Sequence, residues 1–275
     1  MTDIGLILER EPSPVGIPGH GGTVAETTCP DGRSDEQERS PNVVTIPSES
    51  SGGASEEWQA DKPAPRRRKK EATQELILDT AERLFAENGI YAVSNRQIAE
   101  AAGQGNTAVV GYHFGNRTDL IRALVSRFHR GIEPSREALL QQISGSNQLR
   151  DWLECQVRPI TNRFDELGSP TWFARFGAQL ISDPELSDIL LEESWRESPS
   201  LQQTVDGLLK CLPFFPTQVL PERTDCAMFL IIQMCAQRER ALADGLPLIR
   251  ATWSEMATGL VDALVGIWTA PVTPV

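Results

Sequence analysis

The sequence predicts an all-α protein, and three observations carry that expectation. Apolar residues recur at the i, i+3, i+4, i+7 spacing of a helix face from Leu76 to Ile267. Glycine, proline and capping residues cut this pattern into pieces of ordinary helix length. No alternating β-branched run of strand length interrupts it.

At 275 residues the chain has room for one large domain or two smaller ones, and for a substantial core. Its apolar runs fall short of the ~18 to 20 residues that cross a bilayer, so no membrane span is expected. The first residues, MTDIGLILEREPSPVG, lack a basic stretch and a small-residue cleavage site. No secretory signal is therefore expected, and a cytoplasmic location with reduced thiols is. The 5 Cys are too scattered for a disulfide scaffold. Their spacing and that of His20, His113 and His129 fit no metal site, and no cofactor is expected.

The formal net charge is −12, but it is unevenly spread. Residues 1–65 hold 4 basic and 12 acidic side chains, 66–130 hold 11 and 7, and 131–275 hold 11 and 19. Only the middle segment can lie on a polyanion without strong repulsion.

Along the chain, residues 1–65 contain 8 Pro, 8 Gly and 7 Ser and a single large aromatic, Trp58. Such a segment cannot offset its ordering entropy by burial, which predicts a disordered acidic tail. After it, RRRKK (66–70) leads into a first helix whose stripe is Leu76, Ile77, Thr80, Ala81, Leu84 and Phe85. Asn88-Gly89 ends it, Gly supplying the left-handed residue past the helix end. Ser94-x-x-Gln97 reads as a capping box for a short second helix with Ile98, Ala99 and Ala102 inward. Gly103 ends that helix, and Asn106 caps a third through about Tyr112. Gly115-Asn116 breaks it, and Asn116 or Thr118 opens a fourth with stripe Leu120, Ile121, Leu124, Val125 and Phe128. The remaining helices are expected at 118–143, 148–167, 170–182, 185–196, 199–212, 222–244 and 251–269, with prolines mostly at first turns or in loops.

The stretch 94–114, SNRQIAEAAGQGNTAVVGYHF, has the features of a helix-turn-helix. Two short helices that cross closely need a small residue inside the first, here Ala99, and a positive-φ glycine at the turn, here Gly103. Val109 and Val110 supply the inner face of the second. Its outer face is small or polar: Asn106, Thr107, Ala108, Gly111 and Tyr112. Such a face can enter a major groove, where Asn can reach adenine and Thr or Ala can meet the thymine methyl. Singly, each residue also fits an ordinary helical hairpin; in this order, with the basic excess confined here, they point to DNA.

These residues resemble the N-terminal domain of the TetR family of bacterial transcription regulators. The likeness covers about 71–125 and rests on AERLFAENG (81–89), IAEAAG (98–103), YHF (112–114) and GNRTDL (115–120). Between Ala101 and Phe114 the chain has one residue more than the commonest family spacing, within Gln104–Thr107. The resemblance implies a DNA-binding domain over 66–117, a helical effector-binding and dimerisation domain over 118–270, and a short tail, 271–275. It implies that Asn106, Thr107, Ala108 and Gly111 face base edges, and that Ser94, Tyr112, His113 and Arg117 meet phosphates. Arg96 and Gln97 fall near the backbone or groove edge. Arg66, Arg67, Arg68, Lys69 and Lys70 are placed to act as a flexible arm.

In the second domain, the helices 222–244 and 251–269 carry the stripes Met228, Phe229, Ile231, Ile232, Cys235 and Met256, Leu260, Ala263, Leu264, Ile267. The resemblance implies that they pair across a two-fold axis to make a homodimer. Trp152, Cys155, Gln156, Trp172, Phe173 and Phe176 could line a pocket for a small-molecule effector, or serve as plain core. The expected function is a ligand-responsive repressor that binds a pseudo-palindromic operator in double-stranded DNA. The rivals are an enzyme using the C-terminal pocket, for which no nucleophile–base pair or phosphate loop is found, and a helical adaptor.

Overall fold

The computed structural model describes residues 65–212, 215–216 and 218–273. The expected disordered tail lies outside them except for Pro65. Among the described residues there are ten α-helices and no strand.

Helix α1, Pro65–Asn88, starts on a proline, whose missing N–H is not needed in a first turn. The basic run 66–70 is therefore not a flexible arm; it forms the opening turns of this helix. Ile77, Ala81 and Phe85, one turn apart, are fully buried. The predicted stripe is rotated slightly, because Leu76 is exposed and Leu78 is buried in its place. Gly89 ends the helix at φ +96°, with its N–H on the Phe85 carbonyl at 2.9 Å.

Ser94 opens α2, Asn95–Ala101, through the predicted capping box with Gln97. Ala99 has no exposed surface, as close crossing demands. Gly103 sits at φ +66°. Its N–H and that of Gln104 return to the Glu100 and Ala99 carbonyls, which closes the helix end. Helix α3, Val109–Phe114, begins and ends about two residues later than predicted. Asn106 does not cap it directly. Its Oδ1 accepts from the Ala108 N–H at 3.0 Å, an Asx turn that leads into the helix. Val110 is buried beneath α3, and Gly115 at φ +77° ends it.

Asn116, not Thr118, caps α4, Arg117–Gln142, in a second capping box with Asp119. Arg117 at its start is turned inward. Its guanidinium donates to the carbonyls of Ile90 and Val93 and lies 5.5 Å from the Phe85 ring centroid. It ties the α1–α2 loop to α4.

The body follows: α5 Leu149–Leu167, α6 Phe173–Ser182, α7 Ser187–Glu197, α8 Pro199–Cys211, α9 Val219–Ala243 and α10 Trp253–Thr269. These match the expected segments closely. Pro134 and Pro159 depart from expectation by lying inside α4 and α5, and Pro221 lies in the first turn of α9. Helix α5 packs on α4 and α10, and α6 on α9. At Gly207 of α8, an added Cβ would stand 2.3 Å from the Trp152 ring, so glycine is what lets α8 seat against α5.

The core runs without a break from α1 to α10, and the junction between head (α1–α3) and body is specific. Phe85 of α1 stacks on Phe176 of α6 with centroids 5.8 Å apart. The Gln179 amide donates to the Phe85 carbonyl at 2.8 Å and accepts from the Ile90 N–H at 3.0 Å. The Tyr91 hydroxyl donates to Asp183 at 2.8 Å.

Arg117→Met would strip both loop carbonyls of their donor. It is expected to cost about 2 kcal/mol, seen as a lower urea midpoint at an unchanged slope.

Candidate functional site

The outer surface of α3 and its lead-in turn is open. Asn106, Thr107, Ala108, Gly111 and Tyr112 are all exposed. A Cβ built on Gly111 would meet nothing within 4 Å. Nothing bulky stands between this face and an incoming surface. Tyr112 is 77% exposed, and its ring sits edge-on to His113 at 5.0 Å. Its hydroxyl can therefore reach outward to a neighbouring phosphate.

The other predicted residues divide. Ser94, Arg96 and Gln97 are exposed at the start of α2. Ser94 and Gln97 spend part of their hydrogen-bonding capacity on each other, and Arg96 pairs with Glu100 at 2.7 Å. Arg67, Arg68, Lys69 and Lys70 are exposed, Arg67 pairing with Glu71 at 2.9 Å. Arg66 lies in the same helical run. His113 is half-buried, and its Nδ1 has no partner among the described residues. Burial, and secondarily Lys70, hold its pKa below the usual imidazole value. It is thus neutral at pH 7 and offers a phosphate one N–H and no charge. Besides the helical basic run, Arg117 is a correction in this set. The resemblance put it on phosphate, whereas its guanidinium is committed to the Ile90 and Val93 carbonyls. Asn106 is exposed, but with Oδ1 engaged by Ala108 it is poorly placed for a bidentate contact to adenine. Thr107, Ala108 and Gly111 are left as the plain outward surface.

In the body, a cavity of about 210 Å³ lies between α4, α5, α6, α7, α8 and α9. Its walls are chiefly apolar: Phe128, Phe164, Phe173, Trp195, Met228 and Ile231 among others. Of the six residues predicted to line a pocket, Gln156 and Phe173 do. Trp152 and Cys155 are buried elsewhere in the core, and Phe176 is wholly covered at the head junction. Trp172 faces a separate, more polar depression beside Arg127 and Glu82. These four are corrections: Cys155, Trp172 and Phe176 each stand one position from a lining residue, Gln156, Phe173 and Gly177, and so face elsewhere, whereas Trp152 shares the face of Gln156 but lies a turn earlier, its ring against Gly207 of α8.

Apart from Gln156, the polar groups of the cavity were not foreseen. His129, Arg136 and Ser194 line it. Arg136 is fully buried. It donates to the Cys155 carbonyl at 3.1 Å and to Ser198 at 2.5 Å, with Glu133 at 3.6 Å. Burial lowers its pKa to about 10, so it keeps its charge. His129 is buried too, and burial first, Arg136 second, push its pKa down to about 3. Its Nε2 is 2.7 Å from the Ser194 hydroxyl, which itself donates to the Leu190 carbonyl. With the Ser194 proton given to Leu190, Ser194 accepts from His129 Nε2 and Nδ1 is left as an acceptor; Nδ1 has no partner among the described residues. The signal was present in the sequence: His129 and Arg136 continue the apolar stripe of α4 through Val125 and Ile132.

In the helices expected to dimerise, most of the apolar stripe is turned inward. Met228, Ile231, Ile232 and Cys235 of α9 line the cavity, and Met256, Leu260 and Leu264 of α10 are core. The outward residues are Phe229, 42% exposed, and the small Ala263 and Gly266, with Ile267 half-buried. Among the described residues no group of three His, Cys, Asp or Glu could hold a metal ion. No described helix is long and apolar enough to cross a membrane.

Residues 77–124, from the middle of α1 into α4, match the family model described as bacterial regulatory proteins, tetR family. A solved structure from Shewanella sp. PV-4, described as of that family of transcription regulators, superposes with a TM-score of 0.50 at 16% identity. The match covers 74% of this chain and 99% of that one. Another, from Marinobacter aquaeolei VT8, gives 0.47 at 19% identity, over 72% and 97% of the two chains. No curated protein matches. Residues 77–124 of the head are therefore similar to the tetR-family model, and the described residues share the all-helical fold of the Shewanella structure.

Below pH ~6.5 an unfolded histidine binds a proton that folded His129 refuses until about pH 3. The unfolded state gains protons, so stability falls on acidification, by about 2 kcal/mol between pH 6.5 and 5. His129→Asn is expected to lose correspondingly less over that window in urea titrations.

Proposed function

We propose that this chain is a DNA-binding transcriptional regulator, a repressor that acts as a homodimer and answers to a small molecule in its cavity. The observation that carries the reading is the open, side-chain-poor face of α3, presented by a rigid head with exposed basic residues beside it. Thr107, Ala108 and Gly111 face bases; Ser94, Tyr112, His113 and the basic turns of α1 hold the backbone. Arg96 and Gln97 lie at the groove edge.

One head buries only a modest area on DNA, so two are needed at a fixed spacing. The outward faces of α9 and α10 supply the pairing surface. Phe229 offers an apolar anchor, and the small Ala263 and Gly266 permit close helix approach. Paired heads would reach successive major grooves about 34–36 Å apart.

Helix α6 gives a physical route from cavity to head. Phe173, Ala174 and Gly177 line the void, while Phe176 and Gln179 on the same helix grip α1 and its loop. A ligand that shifts α6 moves the head with it, to the extent that it binds the shifted state better.

Selection of bound duplexes from random DNA tests this reading. A symmetric site with half-sites one turn apart is expected; recovery of no sequence, together with no salt-sensitive duplex binding, would sink it. Tyr112→Ala is expected to weaken all selected duplexes by one common factor, about fivefold, leaving the sequence logo unchanged. A changed logo would make Tyr112 a base reader. Gln179→Ala is expected to speed hydrogen exchange at Gly89 and Ile90 at least roughly tenfold, with the α5 core unaffected. Equal protection in both proteins would remove Gln179 from the coupling.

A further inference from the structure

We propose that the cavity selects a neutral, single-ring-sized apolar molecule bearing one hydroxyl, a phenol or comparable alcohol, whose single O–H proton is received by one of two unpaired acceptors, His129 or Gln156. This deepens the ligand response proposed above and rests on that reading only for its regulatory consequence.

Size comes first. A cavity of about 150 Å³ lined by apolar side chains is known to hold benzene, so about 210 Å³ accommodates a ring with a short substituent. The walls then set polarity. Stacked Phe128 and Phe173, with Phe164 beside them, favour a flat apolar body.

The polar complement decides the functional group. His129 Nδ1 and Gln156 Oε1 are buried acceptors without a donor among the described residues, and both side chains line the cavity. Leaving buried acceptors unpaired is costly, and a ligand that supplies the donor recovers that cost. The donor must be neutral. An ammonium would enter beside the Arg136 guanidinium, and His129 cannot lose a charge it does not carry. An anion has little to gain either. Two arms of Arg136 are held by Cys155 and Ser198, Glu133 lies 3.6 Å away, and the two unpaired acceptors would repel a carboxylate.

Three probes separate these alternatives by titration calorimetry on the full chain without DNA: 4-ethylphenol, 4-ethylanisole and 4-ethylbenzoate. The phenol and the anisole share ring and oxygen, but only the phenol has a proton to give. The expected result is that the phenol binds about tenfold tighter than the anisole, and that the benzoate is weakest. Whichever of Gln156→Leu and His129→Leu removes the acceptor that takes the proton is expected to bring the phenol down towards the anisole. The proposal is overturned if no probe binds, if phenol and anisole bind alike, if the benzoate binds best, or if both folded variants keep the full preference. Should either variant fail to fold, the phenol–anisole comparison in the unmodified chain decides alone. Because no DNA is present, failure here leaves the DNA-binding reading intact, and failure of duplex selection leaves the ligand preference standing.

Discussion

The carboxylate of Glu239 holds the first turn of α6, and much of the molecule's architecture follows from that contact. Helix α6 lacks a side-chain cap of its own. Its first free amides, those of Ala174 and Arg175, are met instead by the buried Glu239 from α9, at 3.2 and 2.9 Å. Arg175 completes the arrangement with an ion pair at 3.1 Å. A negative charge at a helix N-terminus satisfies orphan N–H groups and opposes the helix dipole. A buried carboxylate is tolerable only with this many donors. With its start pinned to α9, α6 has a fixed position, its cavity wall on one side and its grip on the head on the other.

The head is specified differently, by local devices that agree with one another. Two capping boxes, at Ser94 and Asn116, start its helices, and three glycines at positive φ, Gly89, Gly103 and Gly115, stop them. Each device needs only neighbours within four residues. One long-range tie then locks the set: Arg117, reaching back to Ile90 and Val93. Local caps and stops and this tie therefore fix the placement of α2 and α3 together.

The cavity shows the opposite economy. Three polar side chains, His129, Arg136 and Gln156, occupy positions where apolar residues would pack better. Arg136 is compensated by carbonyl, hydroxyl and carboxylate. His129 and Gln156 are compensated only in part. Unpaired buried acceptors cost stability that an apolar core would not lose, which is the observation on which the proposed ligand preference rests.

The sequence by itself determined the helices, their caps and breaks, and the helix-turn-helix, because those features depend on residues within a turn or two of each other. Spacing alone placed Ala99 and Val110 inward, Gly103 at the turn, and Thr107, Ala108 and Gly111 outward. It also put Met228, Ile231, Ile232 and Cys235 on one face of α9, but left open what that face meets: the cavity. Likewise Arg117 looked like any exposed basic residue at a helix start until the α1–α2 loop carbonyls were brought against it. Tertiary structure alone decided such cases, since periodicity fixes which residues share a face, and only the packing of distant helices fixes what that face is pressed against.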